Sequence, residues 1–194
     1  LMGFMILRMG GELAWGAIKE LIDTGLDEAQ VEAIRQTLLE TPGVRGLHQL
    51  RTRRMAHQAL VDTHVQVDSR ISVSEGHRIA ESARARVLGE HPEVLDVLVH
   101  IDPDDEVDPD LYATRLPSRD VLLDELQPLL AGLPPPEKIV LHYLNGKVEV
   151  ELFLGHAFFE NGDALKRAEN TLAERLKMHA TVRSISLNCT IAPN

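Results

Sequence analysis

The sequence is poor in cysteine, in aromatic residues and in positive charge. Its single cysteine, Cys189, allows neither a disulfide within the chain nor a metal site built on cysteine pairs. Aromatic residues make up only 4% of the chain, and 20 basic residues face 30 acidic ones. The formal charge of −10 repels phosphate backbones, so nucleic acid is not expected as a partner. Such a chain is better suited to cations, and its metal ligands would have to be histidine, aspartate or glutamate.

A hydrophobic run long enough to cross a bilayer, about 20 residues, is also missing. The apolar opening of the chain, residues 1–22, is interrupted by Arg8, Glu12 and Lys19. Two interpretations of this segment remain open. It is either an amphipathic helix that packs on the domain or a partner, or the cytoplasmic end of a transmembrane helix whose beginning is absent.

One order of secondary structure elements is predicted twice. In residues 27–104, hydrophobic periodicity predicts a helix, two strands, a helix and a strand, with capping boxes at Asp27/Gln30 and Ser72/Glu75. Residues 118–194 repeat this order. The predicted fold class is therefore α+β, with two ferredoxin-like αββαβ units, each a small antiparallel sheet that carries two helices on one face.

Two further segments mark the organisation of the chain. The acidic, proline-containing residues 105–117 are predicted to be a linker between the units. In the second unit, Asn145-Gly146 predicts a tight hairpin, and Pro128 is expected to kink or shorten a helix predicted over about residues 119–131.

Histidine and carboxylate side chains fall on one face of the first predicted sheet. Alternate residues of a strand share a face, so His100 and Asp102 point the same way, about 7 Å apart. If the strands pair as expected, His64 shares their surface, opposite the helices. Imidazole and carboxylate are good zinc ligands, and three or four of them complete a tetrahedral site.

Several stretches of the first unit resemble the C-terminal domain of the cation diffusion facilitator family. Residues 42–53, PGVRGLHQLRTR, resemble its best-defined signature, and residues 97–103, VLVHIDP, resemble its ending. Residues 61–65, VDTHV, and 74–80, SEGHRIA, are similar to its second strand and to the start of its second helix. Residues 20–23, ELID, resemble the end of its last transmembrane helix, and the likeness extends over residues 1–104.

This resemblance implies a transporter of divalent cations. Residues 1–26 would be the cytoplasmic end of the last transmembrane helix and a connector, and residues 27–104 a cytoplasmic domain that binds Zn²⁺ or a similar ion and forms a homodimer beneath the membrane domain of the same protein. The family's binuclear site lies near the dimer interface, with some ligands crossing between subunits. The matching positions are His48, His64, His77, His100 and Asp102, and Asp23 matches an aspartate of a charge interlock with the membrane domain.

The second unit is expected to be a degenerate duplicate that kept the fold and lost the ligands. Aligned by element order, His142 falls near the position of His48 and Leu152 near that of His64, while Asn188 and Thr190 fall near those of His100 and Asp102.

The predicted function is that of a regulatory and dimerisation region at the cytoplasmic side of a cell-membrane transporter, and not that of an enzyme. Two rival hypotheses remain open. A plain dimerisation scaffold would use no metal, and a zinc hydrolase would need an open coordination position with a general base beside it, for which Glu75 is the nearest candidate.

Overall fold

The computed structural model describes residues 2–21, 25–55, 57–103, 116–177 and 179–190, with the backbone alone at 19–21. The chain divides into two compact units, Leu1–Asp104 and Asp105–Asn194. Of the predicted acidic linker, only Leu116 and Pro117 lie among the described residues.

The first helix, α1 (Met2–Leu21), exposes an apolar surface along its length. Phe4, Leu7 and Leu13 are each more than 70% exposed, and Trp15 is 61% exposed. Within the described ranges, none of the helices has both the length and the apolar character that a bilayer crossing requires. The helix therefore carries far more exposed apolar surface than a solvated helix needs.

The rest of the first unit has the predicted order of elements. It consists of α2 (Glu28–Leu39), β1 (Gly46–Met55), β2 (Gln58–Val67), α3 (Val73–Glu90) and β3 (Val94–Pro103). The capping box at Asp27 is complete, since its side chain accepts from Gln30 N and the Gln30 side chain accepts from Asp27 N. At Ser72 only half of the predicted box is seen: the hydroxyl accepts from Glu75 N at 3.1 Å.

The sheet of this unit is mixed, which corrects the prediction of an antiparallel one. The strand order is β1-β2-β3, with β1 antiparallel and β3 parallel to β2. The cause is α3, whose 18 residues span about 27 Å and return the chain to the end at which β2 began. Arg84 of α3 also holds β3, because its guanidinium donates to Asp96 at 2.7 and 3.0 Å and thereby lowers the pKa of that carboxyl.

Alternation along β2 separates an apolar face from a polar one. Five alternate residues of β2, from Ala59 to Val67, are buried towards the helices, while Asp62, His64 and Gln66 face away. The core is completed by Ile34 and Leu38 of α2 together with residues of α3 and β3. Burial of each Val or Leu side chain stabilises the folded state by roughly 1.5–3 kcal/mol, so the buried face stabilises the fold. The opposite face is not needed for the core and can carry polar side chains. We call that opposite surface the open face.

The second unit repeats this order with one addition. Its elements are α4 (Arg119–Leu126), β4 (Lys138–Leu144), β5 (Lys147–Gly155), α5 (His156–Phe159), α6 (Gly162–Leu176) and β6 (Val182–Thr190), of which the one-turn helix α5 was not predicted. The hairpin prediction is confirmed, since Asn145 (φ 51°) and Gly146 (φ 67°) both have the positive φ of a type I′ turn. The helix α4 ends at Leu126 and not near residue 131, so of the two effects expected of Pro128 the structure shows the shortening. The strands β4-β5-β6 pair in the same mixed manner as the first sheet.

Candidate metal site

Two neighbouring strands bring histidines and a carboxylate together on the open face of the first unit. His64 of β2 and His100 of β3 are direct Cα partners, and Asp102 lies opposite Gln66, two residues further along. The two imidazole rings are 4.7 Å apart between centroids, with their planes tilted by 40°. Strand pairing and alternation alone are therefore enough to make these three side chains neighbours.

Asp102 is the centre of this group. Its side chain is only 13% exposed, and its Oδ2 lies 2.9 Å from His64 Nδ1 while its Oδ1 lies 3.2 Å from His100 Nε2. A third imidazole, that of His48, approaches Oδ2 to 4.0 Å. Throughout the described part of the chain, the basic side chains within 4 Å of this carboxylate are imidazoles and not lysine or arginine. The site therefore combines a largely buried acceptor with ring nitrogens of the kind that binds transition metals.

A β-bulge brings His48 to this group. Leu47 pairs with Val65 and Gln49 pairs with His64, so His48 is an extra residue without a Cα partner. Leu47 and Leu50 both pack on the core, although residues three apart in a regular strand point to opposite faces. The bulge resolves this conflict, and it turns His48 and Gln49 towards the open face. Sequence reasoning missed the bulge, for which the Leu47/Leu50 spacing was the available signal.

The donor set fits a divalent transition metal. One ligand atom from each of His64, His100 and Asp102 lies within 4.8 Å of the others. In a tetrahedral zinc site with bonds of about 2.0–2.1 Å, donor atoms are roughly 3.3 Å apart, so small side-chain rotations would close the set. Because these three donors are fewer than the usual four, a fourth would come from His48, a second chain or solvent.

His77, the remaining expected ligand, lies away from this group within one chain. It is an exposed residue of α3 and lines a groove of about 410 Å³ with Asp68, Val99 and Ile101, on the helix side of the sheet. Glu75, the candidate base of the hydrolase hypothesis, lies in the first turn of the same helix. Since α3 packs on the face opposite the open face, neither residue belongs to the group of His64, His100 and Asp102, which we call the His/Asp group. Asp23 lies outside the described residues.

The second unit has the same sheet register as the first. In both units the pairing of the central and third strands is interrupted once, after Ala59 in the first and after Val148 in the second. Counting from these interruptions aligns the two sheets residue by residue. The positions of His64, His100 and Asp102 are then held by Phe153, Asn188 and Thr190.

This alignment corrects two expectations. Phe153, and not Leu152, stands at the position of His64, because Leu152 points into the core and is fully buried. His142 matches Arg53 near the other end of the strand, and not His48. The Lys138 ammonium lies 5.2 Å from the centroid of the Phe153 ring, so in the second unit a side-chain cation lies next to the residue that matches His64.

In a comparison with known protein families, residues 26–104 match the model of the cytoplasmic domain of cation efflux proteins. Residues 26–104 of the first unit therefore have the sequence of a cytoplasmic domain of the cation diffusion facilitator family. The chain is 41% identical over 99 residues to metal tolerance protein C1 of Arabidopsis thaliana, which covers 51% of this chain and 21% of that protein. It is 30% identical over 101 residues to the cation-efflux pump FieF of Pectobacterium atrosepticum, which covers 52% of this chain and 33% of that protein.

These relatives are longer proteins, of which this chain spans about a fifth to a third. The family is one of cation transporters and not of enzymes. Among solved structures, a MamM-CTD variant is 29% identical, with 39% of this chain and 95% of that chain covered and a TM-score of 0.39.

Proposed function

We propose that this chain is the metal-sensing and dimerising cytoplasmic region of a divalent-cation efflux transporter, with zinc as the ion that its site fits best. The observation that carries the proposal is the convergence of His64, His100 and Asp102, with donor atoms within 4.8 Å of one another. His48, held in its bulge 4.0 Å from the carboxylate, adds a fourth donor from the same chain.

Zinc is favoured by the chemistry of the donors. Imidazole nitrogen and carboxylate oxygen are ligands that zinc accepts in tetrahedral geometry. Calcium and magnesium prefer sites built from oxygen alone, in larger or octahedral arrangements. Cobalt, nickel, cadmium and iron(II) accept the same donors, so which of them competes in the cell is decided by availability.

The site is proposed to be completed in a homodimer. His77 belongs to the family ligand pattern, yet within one chain it lies on the helix side of the sheet. A second copy of the chain would supply this imidazole to the His/Asp group, and the metal would then link the two chains. A bound cation would also offset the repulsion between two chains that each carry a formal charge of −10.

In the complete transporter, α1 would be the cytoplasmic end of the last transmembrane helix. Its exposed apolar residues, such as Phe4 and Leu7, support this role. Metal-driven closure of the dimer would then shift the population of the attached membrane helices towards a transport-ready state. The second unit, without the ligands, would serve as a metal-independent extension of the dimer or as a contact for another partner.

Isothermal titration of the 194-residue chain with zinc tests this proposal. We expect saturable binding that is lost in a His100→Ala/Asp102→Ala variant. The matched control is His156→Ala/Glu160→Ala, which removes an exposed histidine–carboxylate pair separated by 3.6 Å in the second unit. The control should bind zinc as the unchanged chain does.

Other outcomes would discriminate among the hypotheses. Equal loss of binding in both variants would mean that zinc binds surface histidines without a defined site. No binding at all, together with a dimer that chelators leave intact in sedimentation, would instead support the metal-independent scaffold.

A further inference from the structure

The last strand of the second unit, β6, has one edge that is not paired within the described part of the chain. There β6 (Val182–Thr190) pairs with β5 alone. Edge strands of natural proteins usually carry charged residues that discourage pairing with other chains. The three other edge strands do so, with Arg51 in β1, Asp96 in β3 and Lys138 in β4. From residue 184 to its end, β6 carries no charged residue.

A groove of about 620 Å³ runs along this edge. Its walls come from α6, between Glu169 and Lys177, and from β6, between Arg183 and Leu187. Ser184 and Ser186 pair in register with Glu149 and Glu151 of the open face, whereas Ile185, between them, packs on the core. Residues of both faces of β6 therefore line the groove, so the groove reaches the backbone edge of the strand.

The charged residues of the helix wall are complementary to those of a second copy of the chain. Glu169 and Lys177 are both exposed, and they lie four residues before and four residues after the exposed Ala173. A two-fold axis beside Ala173 would therefore place each Glu169 next to the Lys177 of the other chain. In the single chain, Lys177 Nζ lies 2.6 Å from Glu174 Oε1, and such an exposed ion pair is exchanged at little cost.

The same axis suits the strand. Since α6 leads into β6 through a short connection, the two elements run in opposite directions, and the midpoint of the strand wall is Ile185. Antiparallel pairing of two β6 strands about Ile185 would set Ser184 opposite Ser186 of the other chain. The strands would be about 4.8 Å apart, and the two α6 helices, each packed on its own β6, would lie side by side. One axis therefore satisfies both walls of the groove.

We propose that the surface formed by α6 and β6 binds the same surface of a second copy of this chain, so that two three-stranded sheets join into one sheet of six strands. This inference rests on the proposed homodimer and assigns the second unit a contact of its own in it. The contact uses no metal. Loss of the cation from the first unit would then loosen one contact of the dimer and leave the other in place.

Cysteine crosslinking of the full 194-residue chain tests the position of the axis. A chelator is present throughout, so that metal does not hold the chains together. In a Cys189→Ser background, Ala173→Cys places a thiol beside the axis, and a short bismaleimide should join two chains there. The matched control is Thr171→Cys in the same background. Thr171 is an exposed residue of α6 that lies outside this groove, and its thiol should give little covalent dimer.

Charge reversal tests the complementarity. Glu169→Lys would place like charges together at two symmetric positions, so the dissociation constant of the chelated dimer should rise about tenfold in sedimentation equilibrium. Glu169→Lys/Lys177→Glu restores opposite charges and should restore the affinity. Glu160→Lys makes the same change of charge at an exposed residue outside the groove, and it should leave the affinity unchanged.

Three results would each overturn the proposal: no crosslinking at residue 173, equal crosslinking at residues 171 and 173, or an affinity that the double charge reversal does not restore. Zinc titration keeps this inference apart from the proposed function, because Glu169→Lys should bind zinc as the unchanged chain does. Zinc binding without crosslinking at residue 173 would count against the β6 contact alone. Crosslinking there without zinc binding would count against metal sensing alone.

Discussion

The two units of this chain have the same sheet, yet one end of the open face differs completely between them. In the first unit that end carries His64, His100 and Asp102, whose donor atoms converge within 4.8 Å. In the second unit the matching residues are Phe153, Asn188 and Thr190. The register and even the interruption between the strands are shared, so one backbone arrangement accommodates both sets of side chains.

This difference shows that fold and ligand set are separable in this architecture. Each sheet is held by its opposite face, where the aliphatic residues of two helices and the central strand pack together. The open-face residues contribute little to that core, so they can be exchanged at small cost. The comparison predicts that metal should stabilise one unit and be irrelevant to the other.

The largest expected effect comes from one cavity in each core. Leu38 of α2 and Leu126 of α4 are both fully buried in the helix that precedes the first strand of their unit. Changing either to alanine should lower the free energy of unfolding of its own unit by about 2–5 kcal/mol. Hydrogen exchange followed by mass spectrometry would measure this, because peptides from each unit report on that unit alone.

Zinc should stabilise the Leu38→Ala variant but not the Leu126→Ala variant. At a free concentration of about 100 times the dissociation constant, a ligand that binds only the folded state stabilises it by about 2.7 kcal/mol. Protection should therefore return in the first unit of Leu38→Ala and stay low in the second unit of Leu126→Ala. Equal protection of both variants by zinc would break the comparison, since it would require a site in the second unit as well.

A smaller effect is expected at one pair of matching positions. Asp102→Asn keeps the shape of the side chain and removes its charge, so zinc affinity should fall at least tenfold, or about 1.4 kcal/mol. Thr190→Val, at the matching position, should leave zinc binding unchanged. It should not destabilise the second unit either, because Thr190 Oγ1 is buried and, in the part of the chain that is described, has no hydrogen-bond partner.

Titration calorimetry and thermal unfolding of both variants would measure these effects. An unchanged zinc affinity in Asp102→Asn would remove the carboxylate from the site and leave the histidines as its only donors.

Much of the fold followed from local signals in the sequence. The capping box at Asp27 and the hairpin at Asn145-Gly146 were predictable, because each depends on a few adjacent residues whose chemistry has few alternatives. The shared face of His100 and Asp102 followed from strand alternation. To predict that His64 lies next to them, it was enough to know that β2 and β3 are neighbouring strands.

What could not be predicted depends on pairing between distant segments. The parallel pairing of β2 with β3 is set by the path of α3 over the sheet, which local periodicity does not encode. The bulge at His48 and the match of Phe153 to His64 are matters of register, and a shift of one residue turns every side chain of a strand to the other face. Element order alone therefore selected Leu152, the neighbour of the correct residue.

The smallest expected effect concerns Phe153, the residue of the second unit that matches His64. The Lys138 ammonium lies 5.2 Å from the centre of the Phe153 ring, and at an exposed position such a cation–π contact is worth about 0.5–1 kcal/mol. Lys138→Gln should destabilise the second unit by about that amount, whereas Lys166→Gln, an exposed lysine of α6, should not. A double-mutant cycle with Phe153→Leu isolates the contact, because leucine keeps an apolar side chain there and removes the aromatic face. A coupling energy near zero would mean that Lys138 does not stabilise the second unit through the Phe153 ring. A coupling of the expected size would mean that a covalently attached cation stabilises this end of the second sheet, where we propose that a bound metal does so in the first unit.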